Sequence, residues 1–102
     1  DNIEDSNTNA LDLINKIKHR QFEKKDDGKQ YNIGYIAQEL EEIDKNFVLI
    51  KPKDEKEEEQ YYVNELPILA TATKAIQELS EKVEQLQSKI DELEQKINEK
   101  EK

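Results

Sequence analysis

LATATKAIQELSEKVEQLQSKIDELEQKI, running from Leu69 to Ile97, decides the architecture of this 102-residue chain. Its apolar residues fall at Leu69, Ala72, Ile76, Leu79, Val83, Leu86, Ile90, Leu93 and Ile97, with gaps that alternate between three and four. That is the heptad spacing of a coiled coil, sustained over about four repeats. Leu69, Ile76, Val83, Ile90 and Ile97 take position a, and Ala72, Leu79, Leu86 and Leu93 take position d. The other positions are nearly all Gln, Glu, Lys, Ser or Asp, so the apolar stripe is narrow. A helix packed on its own domain has a wider apolar face; a stripe this narrow is buried by other helices of the same kind.

The flanking charges give the direction of the partner. Lys82, Lys89 and Lys96 occupy g, while Ser80, Gln87, Glu94 and Glu101 occupy e. In a parallel assembly Lys89 meets Glu94 and Lys96 meets Glu101 of the neighbour, whereas an antiparallel pair sets lysine against lysine. Parallel is favoured on sign, although each exposed pair contributes only a fraction of a kcal/mol. β-Branched residues at a with Leu at d lean towards two strands, and no buried Asn specifies number or register.

Length leaves room for one domain. The net charge of −9, with 40% charged residues, argues against nucleic acid or an anionic membrane as partner. Leu, Ile, Val and Phe make up about a quarter of the chain, above the roughly one-fifth below which disorder is expected. With a third of the chain in the coil, the remaining core is small and marginal alone, and oligomerisation is the expected remedy. Cysteine is absent, so there is no disulfide framework and no thiolate site. No apolar run reaches transmembrane length, and no signal peptide is recognisable.

In chain order, Asn7, Thr8 and Asn9 are candidate N-caps for a helix carrying Leu11, Leu13, Ile14 and Ile17. Gln21–Lys25 suits a short strand with Phe22 inward, and Asp26-Asp27-Gly28-Lys29 a hairpin turn. Gln30–Ile36, alternating Tyr31, Ile33 and Tyr35, suits the returning strand. Ala37–Ile43 switches to helical spacing, and Phe47–Ile50 is a short apolar strand. Lys51–Gln60 (KPKDEKEEEQ) reads as a solvated hairpin loop, followed by a strand at Tyr61, Tyr62 and Val63. Asn64 can cap a long helix, and Pro67 falls in its first turn, where a missing N–H costs nothing. That helix, through Ile97, is roughly 50 Å long at 1.5 Å per residue. The expected fold class is α+β: a head at residues 1–64 followed by a long coiled-coil helix at 65–102.

The search for chemistry finds no catalytic or metal site. His19, the only histidine, lies between Lys18 and Arg20 and reads as a surface residue. No acids or histidine stand at metal-ligand spacing, and Gly28 and Gly34 are the only glycines, so no phosphate-cradling loop is expected. Ser6, Ser80 and Ser88 have no base arranged nearby, and the tyrosines read as strand and core residues. No cofactor is called for. The residues describe an oligomerising interaction module.

Gly34-Tyr35-Ile36-Ala37-Gln38-Glu39-Leu40 adds a resemblance. The chain resembles the C-terminal intramolecular chaperone domain of bacteriophage tail-spike, endosialidase and neck-appendage proteins, a family also classed as a self-cleaving peptidase. Its ordered pattern matches Asn2-Ile3, Asn9-Ala10-Leu11-Asp12, Phe22, Gly34 to Glu39 (with Ile36, Ala37 and Gln38), Tyr61-Tyr62 and Ala75-Ile76-Gln77-Glu78-Leu79. Family prolines are missing near His19 and Lys45, both at turns.

The resemblance implies a homotrimer, and so three parallel strands where composition leans to two. It implies a client too: an upstream β-structured fibre or appendage that the domain holds in register while it folds, in the host cytoplasm during virion assembly. The domain is then released by autoproteolysis. In the family, cleavage falls between a Ser and an Asp; that Ser is the nucleophile, and a Lys a few residues later is implicated as its base. A lysine serves as base only where burial or charge lowers its pKa. That Lys precedes an x-Asn-Ile, which Asp1-Asn2-Ile3 matches, so Ser and Lys are expected upstream of residue 1. Taking Asp1 as the N-terminus left by cleavage leaves no lysine before Lys16 and sets Asn2-Ile3 too early. On both alignments the chain is expected to be catalytically inert. The competing readings are the autoprotease itself and a generic parallel coiled-coil adaptor.

Overall fold

The computed structural model describes residues 2–51 and 59–101. Its order is α1 (Ala10–Lys16), β1 (Arg20–Glu23), β2 (Gln30–Gly34), α2 (Ala37–Ile43), a 3-10 turn (Lys45–Phe47), β3 (Val48–Lys51), β4 (Gln60–Val63) and α3 (Glu65–Lys100). The fold is α+β, short strands and helices followed by one long C-terminal helix. Most of the expected KPKDEKEEEQ loop, residues 52–58, lies outside the described residues.

The strands form two antiparallel hairpins, β1–β2 and β3–β4. In the first turn Gly28 takes φ +65°, a conformation that costs glycine nothing, and its N–H donates to the Lys24 carbonyl at 2.8 Å. The Lys29 N–H donates to Asp27 Oδ1 at 2.9 Å, which completes the expected Asp-Asp-Gly-Lys turn.

The period-two reading of Tyr31, Ile33 and Tyr35 fails at one residue. Arg20 pairs with Gly34 and Phe22 with Tyr31, so Asn32 and Ile33 together oppose Gln21. This bulge shifts the phase of β2 by one position. It leaves Ile33 70% exposed and brings Gly34 onto the face of Phe22. A Cβ at Gly34 would stand 2.8 Å from Phe22 Cε1, so the ring occupies the place of a side chain.

The core gathers Ile17 after α1, Leu40 of α2, Phe47, Val48 of β3 and Ile68 of α3, with Leu40 and Phe47 only 1% exposed. The Asp44 side chain accepts from the Asn46 N–H at 2.9 Å and thereby caps the 3-10 turn that delivers Phe47. Two expected helix caps act differently. Asn9 makes no side-chain cap to α1, and Asn64 makes none to α3. Asn64 instead donates its backbone N–H to the Phe47 carbonyl at 2.8 Å and its side-chain amide to the Asn46 carbonyl at 3.3 Å. It ties the start of α3 to the 3-10 turn rather than closing the helix.

Candidate assembly surface

α3 is 36 residues long, about 54 Å, and accounts for much of the 80 Å extent of the molecule. One of its faces is used within the chain: Ile68 and Ala75 are buried, and α1 packs against it. The small side chains of Ala10 (0% exposed) and Ala75 (4%) allow the two helices to approach closely. The cap missing from Asn9 is supplied across this contact. Glu78 Oε2 accepts from the N–H groups of Ala10 at 2.9 Å and Leu11 at 3.2 Å, setting a carboxylate at the positive end of α1. Lys74 Nζ donates to the Thr8 carbonyl and lies 4.0 Å from Glu78 Oε2. The Asn-Ala-Leu-Asp and Ala-Ile-Gln-Glu-Leu motifs, 68 residues apart at this contact, are therefore two halves of one joint.

The second face carries the heptad stripe. Leu69, Ile76, Leu79, Val83, Leu86, Ile90, Leu93 and Ile97 are between 47% and 66% exposed, and Ala72 is half-buried. Single exposed leucines are ordinary, but a continuous apolar row this long marks an interaction surface.

The remaining motif residues fall in three places. Phe22, Ile36, Ala37, Gln38 and Tyr62 line one open groove of about 650 Å³, together with Tyr35 and Tyr61. Phe22 stacks on Tyr31 at 5.3 Å, and His19, exposed as expected, tilts against the Tyr35 ring at 5.7 Å. Tyr62 is 49% exposed on the outer face of its hairpin, opposite Leu49, and so is a surface residue rather than a core one. The charge of Glu41, then that of Glu59, raises the pKa of Tyr61. Asn2 and Ile3 stand apart from the groove on the exposed N-terminal segment, Ile3 being 93% exposed.

Glu39, the last residue of the Gly-x-Ile-Ala-Gln-Glu motif, receives a two-pronged bond from Arg20: Nε to Oε1 at 3.0 Å and Nη2 to Oε2 at 2.6 Å. This fork ties β1 to α2. The hydrogen bonds from Arg20 hold Glu39 below the usual carboxylate range, opposed by partial desolvation and aided by the charges of Arg20 and Lys18. Sequence reasoning missed Arg20 and Lys74, because Glu39 and the Thr8 carbonyl, to which they donate, are far from them in the chain.

Ser6 Oγ accepts from the Thr8 N–H at 3.2 Å in an exposed turn. Among the described residues no three His, Asp or Glu side chains come together as a metal site, and no helix is long and apolar enough to cross a membrane.

This geometry is that of an α+β module with a long C-terminal helix whose heptad stripe its own chain leaves exposed. Residues 1–49, about half of the chain, match the family model Peptidase_S74, described as the chaperone of endosialidase, and over those residues the resemblance drawn from the motifs holds. The matched segment runs from the Asn-Ile pair through Gly34–Glu39; Tyr62, Glu78 and the heptad stripe lie beyond it. No curated protein and no solved structure matches the chain.

Proposed function

We propose that this chain is a trimerising intramolecular chaperone. Three copies join in parallel through the α3 stripe, with Lys89–Glu94 and Lys96–Glu101 pairs on its flanks. The client is a β-structured phage fibre or appendage attached upstream. The observation that carries this reading is the exposed heptad row on a chain whose first half matches a chaperone family.

Interwoven β-fibres have high contact order and three chains to register, so nucleation is slow and aggregation competes. A helper that trimerises first raises the local concentration of the attached strands to the order of millimolar. Release afterwards removes the reverse path and makes the fibre kinetically stable. In this reading assembly takes place in the host cytoplasm. The Ser and Lys of the cleavage step lie upstream of Asp1, and the 102 residues are inert on their own.

The test fuses the chain behind a β-fibre client and measures the yield of native client trimer, with wild-type α3 and with Leu86→Asp. High yield with the first and aggregation with the second is expected. Equal yields would remove the chaperone reading and leave a coiled-coil adaptor.

A further inference from the structure

Residues 2–9 precede α1 without regular structure, and all are exposed except Thr8, which is half-buried. What holds this segment is α3. Lys74 Nζ donates to the Thr8 carbonyl, and Glu78 Oε2 accepts from the N–H groups of Ala10 and Leu11. A small cavity of about 120 Å³, lined by Ser6, Thr8, Ala10, Ala70, Thr71 and Lys74, continues the contact. Going back along the chain from Leu11 to Ser6 therefore means moving along α3 from Glu78 to Ala70. The segment is a strap laid antiparallel to the long helix.

The strap depends on the helix more than the helix depends on it. Asn9 supplies no side-chain cap, and the seven residues of α1 are too few to hold a helix in water by themselves. Lys74 and Glu78 are four residues apart, so they lie one above the other only while that stretch of α3 is helical. In α3 the Glu78 carbonyl accepts from the residue four places on, Lys82. From Leu79 onward every described residue is exposed. A bare helix of that kind frays from its free end. Fraying back to Leu79 would leave Glu78 in the last turn, where the helix dipole disfavours a carboxylate, with its side chain no longer fixed on α1.

We infer that Lys74 and Glu78 form a relay: covering the heptad stripe holds α3 helical through the joint, and the joint then seats the strap of residues 6–11. The coupling is reciprocal, so a seated strap favours the helix that carries the stripe. Lys74 and Glu78 stand at f and c, away from the a and d residues, and touch nothing that covers them. They are positioning residues. The inference rests on the reading above only in having the stripe covered. It adds a route from that face to the segment that leads upstream.

Amide hydrogen exchange of the full chain reads the joint at Ala10 and Leu11. Asn64, whose N–H is bonded to the Phe47 carbonyl, serves as the reference in the head. Two variants act beyond the joint. Gln85→Pro breaks α3 whether or not chains associate, and Leu86→Asp uncovers the stripe. Both should speed exchange at Ala10 and Leu11 by about tenfold relative to Asn64. On a Glu78→Ala background, where the two amides have lost their acceptor, neither should add to the increase. Unchanged exchange in Gln85→Pro, equal acceleration of Asn64, or a full increment on the Glu78→Ala background overturns the relay. Sedimentation of the same samples keeps the two readings apart. An associated wild type and a dispersed Leu86→Asp with equal exchange overturn the relay while the assembly stands. A single-chain wild type removes the assembly instead, and Gln85→Pro alone then decides the relay.

Discussion

Two pairs of adjacent residues separate the faces of α3: Ile68 and Ala75 are 7% and 4% exposed, whereas Leu69 and Ile76 are 60% and 66% exposed. One residue is 100° of rotation on a helix, enough to pass from a face that its own chain covers to one that it does not. The covered face is short and ends at the Glu78 joint; the uncovered one continues to Ile97. Beyond Glu78 every described residue of α3 is exposed. An isolated helix of this kind has little to hold it, since most helical stability in proteins comes from packing of an apolar face. The first face therefore belongs to the fold of the chain and the second, on the function proposed above, to an assembly, so substitutions on the two should behave differently.

The largest effect is expected on the uncovered face. Leu86→Asp sets a carboxylate from each copy into one apolar seam, where each loses solvation without a partner. The loss should be on the order of several kcal/mol per trimer. It should depend on protein concentration, because assembly is what fails. Next comes Glu78→Ala on the covered face. It removes the acceptor for two N–H groups at the start of α1 and should cost about 0.5–2 kcal/mol, the usual range for a lost cap. Denaturant titrations at two protein concentrations distinguish the cases: the Leu86→Asp deficit shifts with concentration, the Glu78→Ala deficit does not. If both shift, the covered face too is completed by another chain.

Smaller effects belong to groups outside both faces. Gln85→Asp, next to Leu86 at an outward c position, should change stability by no more than about 0.5 kcal/mol in the same titrations. If it matches Leu86→Asp, the heptad assignment is wrong. The Arg20–Glu39 fork responds to pH. Glu39 has its pKa lowered in the fold, so its contribution is fully present above the unfolded carboxylate value of about 4.3 and is lost as pH falls through the folded value. Being exposed to solvent, the pair contributes modestly. The stability difference between wild type and Glu39→Gln should shrink on acidification below about pH 4.3, and a difference that is flat with pH would deny the fork a role.

Much of this fold was legible because it is written in local signals. The heptad spacing, the Asp-Asp-Gly turn and the switch to helical period at Ala37 each depend on residues close in the chain. What escaped was non-local. The exposure of Ile33 follows from a bulge that no residue of β2 announces by itself. Asn9 and Asn64 had the chemistry of caps, but the Glu78 carboxylate, 68 residues from Ala10, took the first role, and the second residue found the 3-10 turn nearer. The motif residues were recognisable as a set, yet their division into a groove, a fork and a helix joint appears only in three dimensions. The covered face of α3 was likewise hidden, because Ile68 and Ala75 do not interrupt the stripe beside them.

The central claim is that the uncovered face of α3 is covered by two further copies of the chain. Sedimentation equilibrium of the 102 residues at micromolar concentration tests it most directly. A mass of about three times the 12.0 kDa of one chain is the expected result. A single-chain mass at that concentration contradicts the account.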